Sequence, residues 1–281
     1  MAVKMKTSKT IRRVVKTIII AFLAILFLVP MLWMLSSSLK TTNRVFTTPF
    51  KWIPEDIRWV NYKTVWTSKS MPMLRVFYNS LFVSVVSTIG QLVFASMAAY
   101  AFARIKFKGS NILFLFFLAS MMIPTQVTII PRFMLFQSIG LYNSYWALIL
   151  PAFFGASTIF FLRQAYLSLP GELFDAAKVD GASHWLTFGR ITMPLTIAPM
   201  ISMLVLSFVS MWNDYLNPLI FLTRPKLFMI SQAIRWYMLD EVQRYELTMA
   251  AATSSILPIV IIFLFAQKYF IEGIASSGIK G

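Results

Sequence analysis

The chain has 281 residues, 58% of them hydrophobic and only 13% charged, with a formal net charge of +16. Soluble domains carry roughly 25% charged residues, so a soluble globular protein is excluded. The positive charge flanks apolar runs instead of forming a patch, the usual place for cations of membrane proteins. Lipid therefore replaces nucleic acid as the expected partner. Cysteine is absent, which rules out a disulfide framework and any Cys-based metal site.

Residues 1–16 hold Lys4, Lys6, Lys9, Arg12, Arg13 and Lys16 and no acid, which places them in the cytoplasm by the positive-inside rule. The uncharged run 17–38 is too long for a signal-peptide core and no small-x-small cleavage site follows it, so it reads as an uncleaved first membrane span. A polar loop at 39–75 comes next on the outer side. Its Trp52, Trp59, Tyr62 and Trp66 read as an interfacial aromatic belt. The core at 76–270 supplies five more spans, each close to the ~20 apolar residues a bilayer requires.

The second span, 76–103, is dotted with Ser80, Ser84, Ser87, Gly90, Ser96, Ala98 and Ala99, small side chains that let helices approach closely in lipid. The third, 111–130, is broken by Pro124, and the amphipathic stretch after Pro131 reads as a separate interfacial segment. The fourth covers 145–167. The fifth, 195–218, ends in Trp212, Asn213, Asp214 and Asn217, the polar positions best suited to line a solute pathway. A second outer loop, 219–246, leads to the sixth span at 247–270 and a cytoplasmic tail at 271–281. The two sides carry similar cation totals, so the undiluted N-terminal cluster sets the orientation. The expected fold is an all-α membrane protein of six transmembrane helices with both termini cytoplasmic.

Catalytic chemistry has no foothold. None of the ten glycines fits a phosphate-cradling P-loop. His184 is the single histidine, and neither a nucleophile elbow nor an intramembrane His-Glu-x-x-His motif occurs. No catalytic, cofactor-binding or metal residues are assigned. Ion-coupled carriers place ionisable groups within their spans, and Asp214 is the one acid near such a position. A partner-driven transporter is favoured over a gradient-driven carrier or facilitator and over a non-transporting membrane scaffold.

One polar stretch between the fourth and fifth spans carries a definite local pattern: PGELFDAAKVDGASHWLTFGRITMP at 170–194. Glu172 and Asp175 suit the positive end of a helix dipole, Gly181 ends that helix, and Ser183 can cap a second one running towards Pro194. Leu173, Ala176 and Ala177 fall at i, i+3 and i+4 on one face. The two alanines offer a shallow surface for close approach.

This stretch resembles the cytoplasmic signature of membrane subunits of binding-protein-dependent ABC importers: Glu-Ala-Ala, three residues, Gly, nine residues, Ile-x-Leu-Pro. Here Asp175-Ala176-Ala177, Gly181 and Ile191-Thr192-Met193-Pro194 keep the spacing, with Asp175 for Glu and Met193 for Leu. Further fragments resemble the carbohydrate-uptake branch, and within it the smaller permease of the maltose-transporter type. These are Asn61-Tyr62 with Trp66, Asn79-Ser80, AAYAFAR at 98–104, MIP at 122–124, GLYNSYWALILP at 140–151, WNDYLNPL at 212–219 and the tail QKYFIEGIASSGIKG at 267–281.

The resemblance implies a type I ABC importer permease that forms half of a carbohydrate translocation pathway in a bacterial or archaeal cytoplasmic membrane. It implies three partners: a second homologous permease, a cytoplasmic ATPase dimer and an extracellular solute-binding protein. ATP and Mg would be bound by the ATPase, so this chain is a non-catalytic subunit. Glu172, Leu173, Asp175, Ala176, Ala177, Gly181 and Pro194 would form the ATPase-coupling loop. The outer loops, above all 222–241, would dock the binding protein.

Overall fold

In the computed structural model, described for residues 2–239 and 244–277, with side chains for 11–239 and 244–270, every regular element is a helix. In chain order these are α1 (Ala2–Ser38), α2 (Val60–Thr67), α3 (Met73–Arg104), α4 (Ser110–Ser120), α5 (Thr125–Ser138), α6 (Trp146–Ala152), α7 (Ala156–Leu167), α8 (Glu172–Val179) and α9 (His184–Thr187). A π-helical turn (Phe188–Thr192) leads to α10 (Met193–Leu195), α11 (Ile197–Trp212), α12 (Leu216–Phe221), α13 (Ile230–Met238) and α14 (Tyr245–Ser277). The basic side chains at 4–9, the tail side chains from 271 and the end of the proposed docking stretch at 240–241 lie outside the described residues.

Among the described residues, four stretches are long and apolar enough to cross a bilayer: Ile11–Ser38, Met73–Arg104, Trp146–Leu167 and Tyr245–Phe270. Two more arise if bent pairs are each one span: α4 with α5, bent by 98°, and His184–Leu195 with α11, bent by 79°. Pro124, at the cap of α5, explains the first bend, because a proline disfavours helical backbone in the residue before it. The amphipathic stretch after Pro131 is not a separate segment. Helix α5 carries Pro131 inside it and continues to Ser138.

The helices fall into two compact units. One comprises residues up to Met73 together with Ala233–Ile256. In it the loop after α1 is knitted by buried polar bonds. Asn61 donates from Nδ2 to the carbonyls of Ser38 and Lys40, both at 2.8 Å, and Ser36 Oγ donates to Trp52 O at 2.6 Å. Tyr237 OH donates to Val65 O and Met71 O. Tyr62 and Trp66 are half-buried, Tyr62 OH pairing with Ser38 Oγ and Trp66 Nε1 donating to Ser254 Oγ. Trp52 and Trp59 remain exposed as a belt requires. On the surface, Glu55 accepts from Lys51 and from Arg44. The Lys51 hydrogen bond and charge, with the charge of Arg44, hold the Glu55 carboxyl below its usual range.

The second unit holds Leu74–Gln232 and the chain from Leu257. Its organising element is α3, whose Ser80, Ser84, Ser87, Ala95, Ser96 and Ala99 are buried. A Cβ on Gly90 would lie 2.0 Å from the Phe153 ring, and one on Gly155 would lie 1.9 Å from Gln91 Nε2. Glycine at both points is what lets α3 meet the α6–α7 junction. Gln91 crosses that contact to donate to Thr158 Oγ1 at 2.8 Å. The small residues of α3 thus serve packing.

Asn61→Ala should loosen the loop after α1, because two carbonyls lose their buried donor at about 1–3 kcal/mol. Limited proteolysis at 40–58 should accelerate while cleavage elsewhere is unchanged. The Glu55 clasp acts the opposite way with pH. Its contribution is complete above the unfolded carboxyl pKa and is lost only as pH falls through the lower folded value, so cleavage at 44–56 should rise only in acid.

Candidate functional site

The polar stretch at 170–194 folds as its sequence dictates. Helix α8 has Glu172 and Asp175 in its first turn and Lys178 in its last, both favourable to the helix dipole. Its end is a Schellman turn: Ala182 N donates to Ala177 O at 2.9 Å and Gly181 N to Lys178 O at 3.1 Å. Gly181 has φ +72°, with open space where a Cβ would stand. The glycine is therefore required by backbone conformation and not by crowding. Ser183 caps α9, its Oγ accepting from Leu186 N at 3.3 Å. The π-turn, α10 and the bend at Thr196 then deliver the chain into α11.

The outward face of α8 carries Glu172, Leu173, Asp175, Ala176, Val179 and Asp180. Val179 is 86% exposed, and Trp185 on α9 is 69% exposed. Ala177 is only 6% exposed. Of the two alanines read as a shared shallow surface, Ala176 faces out and Ala177 faces the chain's own packing. Val179 takes the second outward apolar position. The face mixes exposed apolar and carboxylate side chains, and Lys178 is exposed beside it. His184 is exposed and lies edge-on to Tyr100.

One arginine ties this loop to the helices and a second ties two of those helices together. Arg104, the last residue of α3, donates from Nη2 to Tyr166 O and to Leu169 O, carbonyls at the end of α7. Its guanidinium also lies 3.7 Å from the ring centroid of Phe174 on α8. In return Arg163 on α7 donates from Nε to Phe102 O on α3. A cation at a helix C-terminus satisfies carbonyls that lack intrahelical partners. Beneath the loop, Ala95, Ala99, Tyr100, Ile159, Leu162, Tyr166, Phe188, Met200 and Met203 form one core joining α3, α7, the π-turn and α11. Sequence reasoning did not single out Arg104 or Arg163. The fragment AAYAFAR, ending on Arg104, was the available signal.

The second candidate group, at the far end of α11, is only partly brought together. Asn217 donates from its backbone N to Asp214 Oδ1 at 3.2 Å and from Nδ2 to Asp214 Oδ2 at 2.7 Å. Asn213 is exposed. Trp212 is 2% exposed, held between Phe77 and Phe208. A solute could not reach its ring without parting α3 from α11, so Trp212 belongs to the packing and not to a solute-lining set. Arg132, which sequence reasoning passed over, donates from Nη2 to Asn217 Oδ1.

Comparison with known proteins agrees with this architecture. Residues 91–276 match the family model described as "Binding-protein-dependent transport system inner membrane component". The chain is 33% identical over 267 residues to the arabinooligosaccharides transport system permease protein AraQ of Halalkalibacterium halodurans, covering 94% of this chain and 95% of that one. A chain of a bacterial ABC transporter involved in the import of the acidic polysaccharide alginate shares the fold with a TM-score of 0.80 at 21% identity, covering 94% of this chain and 98% of that chain. A second chain is from the bacterial alginate ABC transporter in complex with alginate pentasaccharide-bound periplasmic protein. It matches with a TM-score of 0.65 at 19% identity, covering 92% and 94% respectively.

The positive φ at Gly181 separates two substitutions. Gly181→Asn should keep the turn, since asparagine tolerates this backbone, whereas Gly181→Val should disrupt it at a cost of at least about 1–2 kcal/mol. Hydrogen exchange over 172–187 should be close to wild type in the first variant and clearly faster in the second.

Proposed function

The chain belongs to the family of binding-protein-dependent transport system inner membrane components, and on that premise we propose that it is one of two homologous permease subunits of an ATP-driven carbohydrate importer. The observation that carries this reading is the outward face of α8, where Leu173, Ala176 and Val179 are exposed. Apolar side chains left bare on a polar loop invite a protein partner. The partner is a cytoplasmic ATPase dimer that binds ATP and Mg. Its groove would need apolar walls for those three residues and cations for Glu172, Asp175 and Asp180. Gly181 turns the chain out of α8, and Pro194 lies just before the bend into α11.

In this reading the chain crosses the membrane six times with both termini in the cytoplasm, counting each bent pair as one span. ATP binding closes the ATPase dimer and moves the docked loop. Arg104, Arg163 and the core beneath them carry the ends of α3, α7 and α11 with it. The helices then rock from inward-open to outward-open, which requires nucleotide to bind one state better than the other. An extracellular solute-binding protein delivers a sugar or oligosaccharide at the outer loops 39–75 and 219–246. Asn213, Asp214 and Asn217 offer hydrogen-bonding groups to the solute on its way through. The carbohydrate class is supported by the names of the relatives and by the hydrogen-bonding character of those side chains, two amides and one carboxylate.

A carboxylate placed at the centre of the α8 face would be buried unpaired on docking, at a cost of roughly 3–5 kcal/mol. Val179→Asp should therefore abolish co-purification of the ATPase while leaving the permease in the membrane. Val179→Leu should retain it. Recovery of the ATPase in full with Val179→Asp would sink the coupling assignment. Uptake by proteoliposomes lacking the ATPase, abolished by ionophores, would support the gradient-driven alternative instead.

A further inference from the structure

Arg132 is the only charged residue between Lys108 and Arg163. It lies on α5, in the outer arm of a bent apolar pair. A cation in such surroundings is costly to hold and marks a function by default. Its partners are specific. The guanidinium donates to Asn217 Oδ1 and stands 4.8 Å from the ring centroid of Phe221, both on α12. Asn217 is itself fixed by two bonds to the Asp214 carboxylate. Ser231 Oγ donates to Asp214 O at 2.8 Å. The Arg132 Nε is buried and has no hydrogen-bond partner, so the directed polar tie from this side chain runs through Nη2.

We propose that Arg132 is a positioning residue that makes α5 move with α11 during the transport cycle. This rests on the reading of 170–194 as the ATPase-coupling loop. The route is continuous. The loop passes through the π-turn and α10 into α11, a rod of 16 residues, about 24 Å long. At its far end the Asp214–Asn217 turn holds the guanidinium, and through it α5. Phe133 and Phe136 on α5 also pack against Phe221. Those ring contacts are non-directional and tolerate sliding. The hydrogen bond to Asn217 fixes which turn of α5 faces α12. A displacement begun at the loop therefore reaches a helix that is distant from it in sequence.

The absence of cysteine makes this measurable with single introduced thiols. Gln137 on α5 and Leu206 on α11 are both exposed. In the transporter purified with its own partners, maleimide labelling of Gln137→Cys and of Leu206→Cys would be timed with and without ATP and vanadate. Both rates should change on nucleotide trapping, by roughly 2- to 30-fold, the span of effects seen for mutations in coupling networks. With Arg132→Met the Leu206→Cys response should persist and the Gln137→Cys response should be lost. Asn217→Ala should do the same, and the double variant should add nothing further, as expected when both remove one interaction. Arg132→Lys, keeping charge and a donor, should restore part of the response. Retained ATPase activity in each complex shows that assembly is intact. An unaltered Gln137→Cys response in both Arg132→Met and Asn217→Ala would overturn the proposal, as would a wild-type α5 that ignores nucleotide while α11 responds. If neither helix responds in the wild type, the coupling-loop reading fails with it.

Discussion

The end of this permease that carries the 170–194 loop depends on one guanidinium. Arg104 completes α3, donates to Tyr166 O in the last turn of α7 and to Leu169 O just beyond it, and lies against Phe174 of α8. Each contact answers a different need. The carbonyls lack intrahelical donors, the cation suits the negative end of a helix dipole, and the aromatic face accepts the charge where water is scarce. Both carbonyls are served by Nη2, which leaves the plane of the guanidinium free to lie against Phe174. The short helix that presents Leu173, Ala176 and Val179 is thereby tied into the second unit at its first turn, and through Gly181 and Ser183 at its end.

The same economy governs the interior. In a bilayer the hydrophobic effect does little to bring helices together, so close fit must do it. The contact of Gly90 with Phe153, and of Gly155 with Gln91, is close enough that an added methyl group has no room. Serines and alanines of α3 complete that surface. Where the chain must bend, it uses proline or irregular helix: Pro124 between α4 and α5, and the π-turn with Thr196 before α11. Phe188 and Thr192 of the π-turn are buried in this packing, while Gly189 and Arg190 between them are exposed.

What could be read from the residues follows a physical division. The Gly181 turn, the Ser183 cap and the acids of α8 were legible because each is decided within five residues by local chemistry. The small-residue face of α3 was legible as packing because its period and side-chain size speak for themselves. Ala177 was not, since helical spacing puts it beside Ala176 but only tertiary packing decides which of the two faces inward. Trp212 looked available to solute beside Asn213 and Asp214, yet its ring is committed to Phe77, more than a hundred residues earlier. Arg104 and Arg132 find their partners 62–65 and 85 residues away. No local pattern announces such pairings. The run of α5 through Pro131 was missed because a proline inside a helix reads as a stop when tertiary support is invisible.

Helix α1 has a different standing from the rest. None of its most apolar window is buried against the chain itself; its contacts come near its end, where Trp33 meets Phe46 and Phe50 and Ser36 to Ser38 are buried. Along that window the span rests on its own length and apolarity, which suffice for a bilayer, and not on packing within the chain. A change that loosens the core therefore need not loosen this span.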